Sequence, residues 1–325
     1  MWGEHLNPTR RHFLGHVAGL SALAVPGISF MQSLRAAAPD LKKKHKNLII
    51  LWMSGGPSTI DLWDLKPGSP NAGEFKPIKT TASGVEISEH LPLVAKQMKH
   101  LAVVRSLKTA EGDHRRGTVL MSTGRSPNPL TQFPHIGSVV AQQLAAKDLP
   151  MPAFIGIGGG AAGIGPGFLG MTYAPFTVQN PGQPPENMGT PNDVNMQRRH
   201  EMFKEIEGGF IRSLKGGNGN PKIKENEFAK NHADIYDKAF SLVVGSASQA
   251  FKLDKERGDV ERYGNNNFGR GCLLARKLID NGAVCVEVDL GGWDMHQNIF
   301  TQLKGQRLPT LDKAMAALVE DLVKT

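Results

Sequence analysis

The sequence predicts an α/β fold: a mostly parallel sheet flanked by helices. Two apolar runs carry that expectation. Asn47-Leu48-Ile49-Ile50-Leu51-Trp52-Met53 and Val284-Cys285-Val286-Glu287-Val288 are close to continuously hydrophobic, as parallel strands covered on both faces are. Each run ends at a glycine break, Gly55-Gly56-Pro57 and Gly291-Gly292, and stretches of helical periodicity lie between them. With 325 residues, 40% of them hydrophobic, the chain suffices for one large α/β domain or two small ones.

Taken in order, the chain opens on Thr9-Arg10-Arg11-His12-Phe13-Leu14, a weakly apolar stretch from Gly15 to Phe30, and then Ala36-Ala37-Ala38. Paired arginines, an apolar core and an A-x-A site resemble a twin-arginine signal peptide. That resemblance implies export through the twin-arginine machinery, with Arg10 and Arg11 as the signal. Residues 1–38 are therefore set apart from the fold. The apolar core contains Gly, Ser, His and Pro and is too short for a stable membrane span. No transmembrane helix is expected in the mature chain, and a periplasmic or cell-surface location follows.

Lys42, Lys43, Lys44 and Lys46 are the densest part of a formal charge of +8. No stripe of Arg and Lys interleaved with aromatics accompanies them, which argues against nucleic acid as a partner. After the lysines, the first apolar run is the first strand. Ser58 is placed to cap a short helix over 59–63. Asp61 and Asp64 fall in its first turn, where acids either complement the helix dipole or face a ligand.

Residues 65–90, rich in Pro, Gly and Thr, are expected to wander over the surface. A helix over Leu91–His100 and a second strand over Leu101–Arg105 follow. Glu111, Asp113, His114, Arg115 and Arg116 then crowd a loop before a helix starting near Gly117, a place where a helix amino terminus can hold an anion. Phe133–Ala146 is a further helix and Pro152–Ile157 a third strand. The glycines from Gly158 to Gly170 lack the Gly-Lys-Ser/Thr of a P-loop. Helical patterns over Val194–Leu214 and Asn226–Ala250 form a helical insertion, about 194–255, between the third and fourth strands. Phe268–Asn281, closed by Asn281-Gly282, is a helix. Leu308, Leu311, Met315, Leu318 and Leu322 mark the last one.

The two cysteines, Cys272 and Cys285, are read either as ordinary buried thiols or, in an oxidising compartment, as a bridge. The fourth strand, Val284–Val288, is followed by Asp294, His296 and Asn298. A carboxylate and an imidazole at the carboxyl end of a parallel strand lie where α/β sheets bind ligands. They point either to a metal or phosphoryl-type site or to a turn with a capping Asp and a surface His.

Several motifs together resemble the exported bacterial family catalogued as domain of unknown function 1501. They are the leader, Met53-Ser54-Gly55-Gly56-Pro57-Ser58 with Asp61, Thr123-Gly124-Arg125, Gly167-Phe168-Leu169-Gly170, Gly271-Cys272-Leu273-Leu274-Ala275-Arg276 and Gly292-Trp293-Asp294-Met295-His296-Gln297-Asn298. The family is similar in fold to the alkaline phosphatase and sulfatase superfamily, with metals at the strand carboxyl ends. The resemblance implies that Asp294 and His296 bind one divalent metal (Zn, Ca or Mn) and that Asn298 supports them. Asp61 would substitute for the metal-binding Asp whose place Ser54-Gly55 occupies. His114 falls at the nucleophile position. Ser54, Gly55, Gly56, Ser58 and Arg115 would contact substrate. The family pattern continues past Thr325 with a Gly-Glu-Phe-Gly-Arg strand end and an Asp-His pair, so an incomplete domain with half of a two-metal site is expected.

Three functions stay open on the residues. The first is a metal-dependent hydrolase of sulfate or phosphate esters, acting on a small ester or a sulfated or phosphorylated polymer. A non-catalytic exported binding protein of the same fold is the second. The third is an inactive fragment.

Overall fold

The computed structural model describes residues 46–324 apart from 147, 148, 150, 184, 186–192, 217–235, 238, 241 and 243–245. The leader with Arg10 and Arg11 lies outside the described residues, as does most of the helix expected over Asn226–Ala250.

Four parallel strands form the central sheet: β1 (Leu48–Trp52), β4 (Phe154–Ile157), β5 (Phe176–Val178) and β6 (Cys285–Asp289), in the spatial order β1-β6-β4-β5. Between β1 and β4 a small antiparallel hairpin pairs β2 (Pro77–Lys79) with β3 (Glu86–Ser88). The nine described helices are α1 (Thr59–Leu62), α2 (Pro92–Gln97), α3 (His114–Thr123), α4 (Ile136–Leu144), α5 (Asp193–Gly216), α6 (Arg257–Tyr263), α7 (Asn267–Asp280), α8 (Ile299–Gln302) and α9 (Leu308–Lys324). A mixed α/β architecture with a mostly parallel sheet flanked by helices is thus present. Among the described residues no helix is long and apolar enough to cross a membrane.

The alternation of β6 assigns its two faces, because successive side chains point to opposite sides. On one side lie Val286 and Val288. A Cβ on Gly271 of α7 would stand 2.8 Å from Val288 and 3.3 Å from Ile157, so glycine lets α7 close onto β6 and β4. On the other side are Cys285, Glu287 and Asp289, with His135 at the start of α4. This separates the cysteines: Cys272 sits in α7, whereas Cys285 points to the opposite face. Both are buried free thiols, and burial raises their pKa far above the usual thiol value. The bridge is excluded because Cβ vectors that diverge across a strand cannot be joined.

Leu308, Leu311 and Leu318 of α9 are fully or almost fully buried, each contributing about 1.5–3 kcal/mol of apolar burial. The helix packs against α7 and α2, closing the core beneath the sheet.

Four expectations need correction. Leu101–Arg105 is not a strand: its residues pair with no neighbour, Val104 is 75% exposed, and the Arg105 guanidinium donates to the Glu86 carbonyl at 2.8 Å. Residues 65–90 are more ordered than expected, since they hold the β2–β3 hairpin. The sheet also holds β5, a strand not expected from the sequence, at Phe176–Val178. The helix expected near Gly117 begins three residues earlier, at His114, because Asp113 caps it by accepting from the Arg116 N–H at 2.9 Å.

Candidate functional site

The strand order brings two distant loops together. β1 and β6 are neighbours in register, Trp52 opposite Asp289, so the loops leaving their carboxyl ends emerge side by side. Two backbone hydrogen bonds join them beyond the strands: Leu290 N–H donates to the Trp52 carbonyl at 2.7 Å, and Trp293 N–H to that of Ser54 at 3.2 Å. Gly55 makes the approach possible. Its φ is +107°, and a Cβ on it would lie 2.5 Å from the Asp294 nitrogen, closer than any side chain permits. Gly56, with φ +75°, faces His114, whose Cε1 is 3.9 Å from the position of its missing Cβ.

Over this junction one carboxylate meets two imidazoles. Asp294 Oδ2 lies 3.1 Å from His114 Nε2, and Asp294 Oδ1 lies 2.8 Å from His296 Nε2. His114 comes from the first turn of α3 and His296 from the loop after β6, so the group is assembled from separate elements. It is open to solvent: the side chains of His114, Asp294 and His296 are 62%, 46% and 82% exposed. At that exposure these contacts stabilise the fold little, and the geometry is better understood as an accessible polar cluster. An open cleft walled by Trp52, Met53, Pro57 and Met121 runs past Ser54, Gly56 and His114.

Other expected residues are placed as follows. The Ser58 side chain makes no capping hydrogen bond, although it sits at the amino-terminal cap position of α1. Asp61 is 6% exposed, and its buried Oδ1 has no hydrogen-bond partner. This oxygen occupies the space beside Gly73, next to Phe300. Arg115 is exposed on α3, one residue or about 100° around the helix from His114. Its neighbour Arg116 is spent on Glu111, whose two oxygens it binds at 2.7 and 2.9 Å, which lowers the pKa of that carboxyl. The Thr118 hydroxyl donates to the His114 carbonyl at 2.7 Å. Asn298 is the only described non-glycine residue with positive φ, +51°, and its carbonyl accepts from Gln302 N–H at 3.0 Å; it shapes the loop that carries His296.

In kind, a carboxylate and two imidazole nitrogens suit zinc or manganese better than calcium, which prefers oxygen. As they stand, however, Asp294 lies directly against both imidazoles. Among the described residues, no set of three or more His, Cys, Asp or Glu is arranged to hold a metal ion, so a joint set of Asp61, Asp294 and His296 is not formed.

A second polar cluster, passed over in the sequence, lies one layer deeper. Glu287 and His135, both almost wholly buried, approach to 3.0 Å. His135 Nδ1 accepts from the Gly137 N–H at 3.0 Å, so a neutral ring carries its proton on Nε2; the neighbouring Glu287 Oε2 is close but receives no hydrogen bond. Asp289, two residues on, has a raised pKa: burial is the main cause, Glu287 adds to it, and a hydrogen bond with Ser54 opposes it. The Ser54 side chain is thus turned toward Asp289. Glycine lets the Gly158–Gly160 loop cover both acids. A Cβ on Gly160 would be 2.5 Å from Glu287 Oε1, and one on Gly158 3.0 Å from the Asp289 Cβ. Two acids at alternate positions of an otherwise apolar strand were the available signal.

The fold and this junction define an α/β protein whose polar residues gather at the carboxyl ends of a parallel sheet. Over residues 45–325 the chain matches the family model described as Protein of unknown function (DUF1501), and it belongs to that family. Comparison with curated proteins and with solved structures gives no match.

Proposed function

We propose that the chain carries a site for hydrolysing sulfate or phosphate esters, in the manner of the alkaline phosphatase and sulfatase superfamily that its motifs resemble. The observation that carries this reading is the Asp294 carboxylate held between the Nε2 atoms of His114 and His296 at the ends of two adjacent strands. Asp294 and His296 would be ligands to one divalent metal, zinc or manganese by donor type; when bound, it would polarise an ester oxygen and lower the pKa of a water.

The chain's own residues do the rest. Asp294 Oδ2 lies 3.1 Å from His114 Nε2, so a proton carried on Nε2 would face the carboxylate and leave Nδ1 with a free lone pair, the arrangement by which a carboxylate orients a histidine base. His114 Nδ1 then takes a proton from a water whose oxygen attacks the phosphorus or sulfur as the ester P–O or S–O bond breaks and the alcohol leaves. Alternatively it attacks that atom itself, expelling the alcohol and leaving a phospho- or sulfo-histidine that water hydrolyses. Thr118 is no competing nucleophile while its hydroxyl is committed to the His114 carbonyl. The paired arginines Arg10 and Arg11 support export as part of the same reading.

The test measures bound zinc and manganese after purification, together with turnover of 4-nitrophenyl phosphate and 4-nitrophenyl sulfate. Asp294→Ala and His296→Ala are expected to lose the metal, and His114→Ala to keep it while losing turnover by about a hundredfold or more. Turnover unaffected by all three substitutions would reject the site. The exposure of His296 favours a second reading, a non-catalytic binding protein. That reading gains if metal is retained and neither ester is cleaved.

A further inference from the structure

One cation beside the site is left without a role. Arg307 closes a π-helical turn, Leu303–Arg307, between α8 and α9. Its guanidinium packs against Gly292, with Nη2 nearest. A Cβ on that glycine would collide with Nη2 and stand 2.7 Å from Cζ and 3.3 Å from Nε, and φ there is +82°. Gly292 is two residues before Asp294, so their α-carbons are at most about 7 Å apart. The Arg307 Nε is buried and without a hydrogen-bond partner, and among the described residues no carboxylate lies within ion-pair distance of the side chain.

A guanidinium cannot deprotonate, carries five donors and accepts nothing. Holding one half-buried with an unpaired N–H is unfavourable unless an anion completes it. The turn that presents it is itself irregular. π-Helical turns give up regular backbone pairing and are frequent at functional positions. The planar fork of arginine matches two oxygens of a tetrahedral oxyanion.

We infer that Arg307 binds the anionic sulfate or phosphate group of the substrate, beside the loop that carries Asp294. This rests on the ester-hydrolase reading for its substrate class, but not for its observations. Arg307 acts as a binding residue, with Gly292 as the surface against which its guanidinium lies.

The experiment uses the full chain. Inorganic sulfate and inorganic phosphate are titrated calorimetrically into metal-free wild type, Arg307→Gln, Arg307→Lys and Gly292→Ala, and KM and kcat are measured with both nitrophenyl esters. Arg307→Gln is expected to weaken anion binding and raise KM about ten- to a hundredfold, with a smaller change in kcat. Arg307→Lys should recover part of the loss. Gly292→Ala should reproduce it without altering any charge, because the new methyl group displaces the guanidinium. Anion affinity and KM unchanged in Arg307→Gln, or no binding of either anion by wild type, would overturn the inference. If wild type binds anions in an Arg307-dependent way but cleaves no ester, the inference stands and hydrolysis falls. Cleavage with Arg307 irrelevant gives the reverse. Should Arg307→Gln fail to fold, Arg307→Lys and Gly292→Ala still decide it.

Discussion

At the scale of single residues, the site depends on an atom that is missing. Gly55 carries no Cβ, and the Asp294 amide occupies the space beside it. A Gly55→Ala chain must move one loop away from the other and also adopt a positive φ that costs an L-residue about 1 kcal/mol or more. The expected result is a stability loss of about 2–3 kcal/mol, read as a lower urea midpoint at unchanged slope. Turnover should fall with it, since Trp293 N–H would lose the Ser54 carbonyl and Asp294 would shift from His114. A variant as stable as wild type would mean that the two loops are not in contact as described. Asp294 and His296 were legible because they follow a strand directly. His114 stood out in a charged loop before a helix, but its approach to Asp294 was not legible, since that partner lies on the far side of the sequence. The pairing of His135 with Glu287 had no local signal. A histidine before a helix reads as a cap, which it also is, and its approach to Glu287 depends on which strand the sheet places beside it.

Helices and strands repeat that division between local and distant causes. β4 and β6 could be read because burial on two faces demands an apolar run; β1, half-buried at the edge of the described sheet, carries the same apolar pattern. β5 could not be read. Three residues in a stretch rich in Pro and Gly become a strand because β4 offers them a parallel edge. Leu101–Arg105 shows the converse, for an apolar run reports side chains that prefer burial and says nothing about a hydrogen-bonding neighbour. Helix α2 adds a case of tertiary capping. Its amino-terminal N–H groups are met by no local side chain; Asp312 of α9 accepts from Leu93 and Val94 N–H at 3.0 and 2.7 Å. Its carboxyl has a raised pKa, chiefly from burial and against the lowering effect of those two bonds. Asp312→Ala leaves two donors unmet and is expected to cost about 2 kcal/mol. Hydrogen exchange should localise the effect, with protection lost first at 92–97. A uniform loss along the whole chain would place the role of Asp312 elsewhere.

For the whole molecule, the carboxyl-terminal half is fastened through charge as well as apolar contact, and that fastening has a pH dependence of known sign. Asp321 of α9 accepts from Arg262 at 2.5 Å and from the Tyr263 hydroxyl at 2.7 Å, both at the end of α6, and Arg276 of α7 lies 3.6 Å away. Burial alone would raise the Asp321 pKa. The hydrogen bonds from Arg262 and Tyr263 and the charges of Arg262 and Arg276 outweigh it and hold the carboxyl below its ordinary value of 3.8. An acid with a depressed native pKa binds fewer protons folded than unfolded, so its contribution is complete above 3.8 and is lost as the pH falls through the lower native value. Asp289 has the opposite sign. Its raised native pKa means that the folded chain holds the proton longer, and stability falls as the pH rises from 3.8 to that higher value. Two substitutions separate these contributions. Asp321→Asn should cost about 2 kcal/mol at neutral pH and shrink toward zero in strong acid, where wild type has lost the same interaction. Asp289→Asn should leave the acid limb unchanged and flatten the decline above 3.8. Urea midpoints measured against pH for wild type and both variants provide the check. A constant difference between Asp321→Asn and wild type at every pH would show that the link between α6, α7 and α9 does not depend on the Asp321 charge.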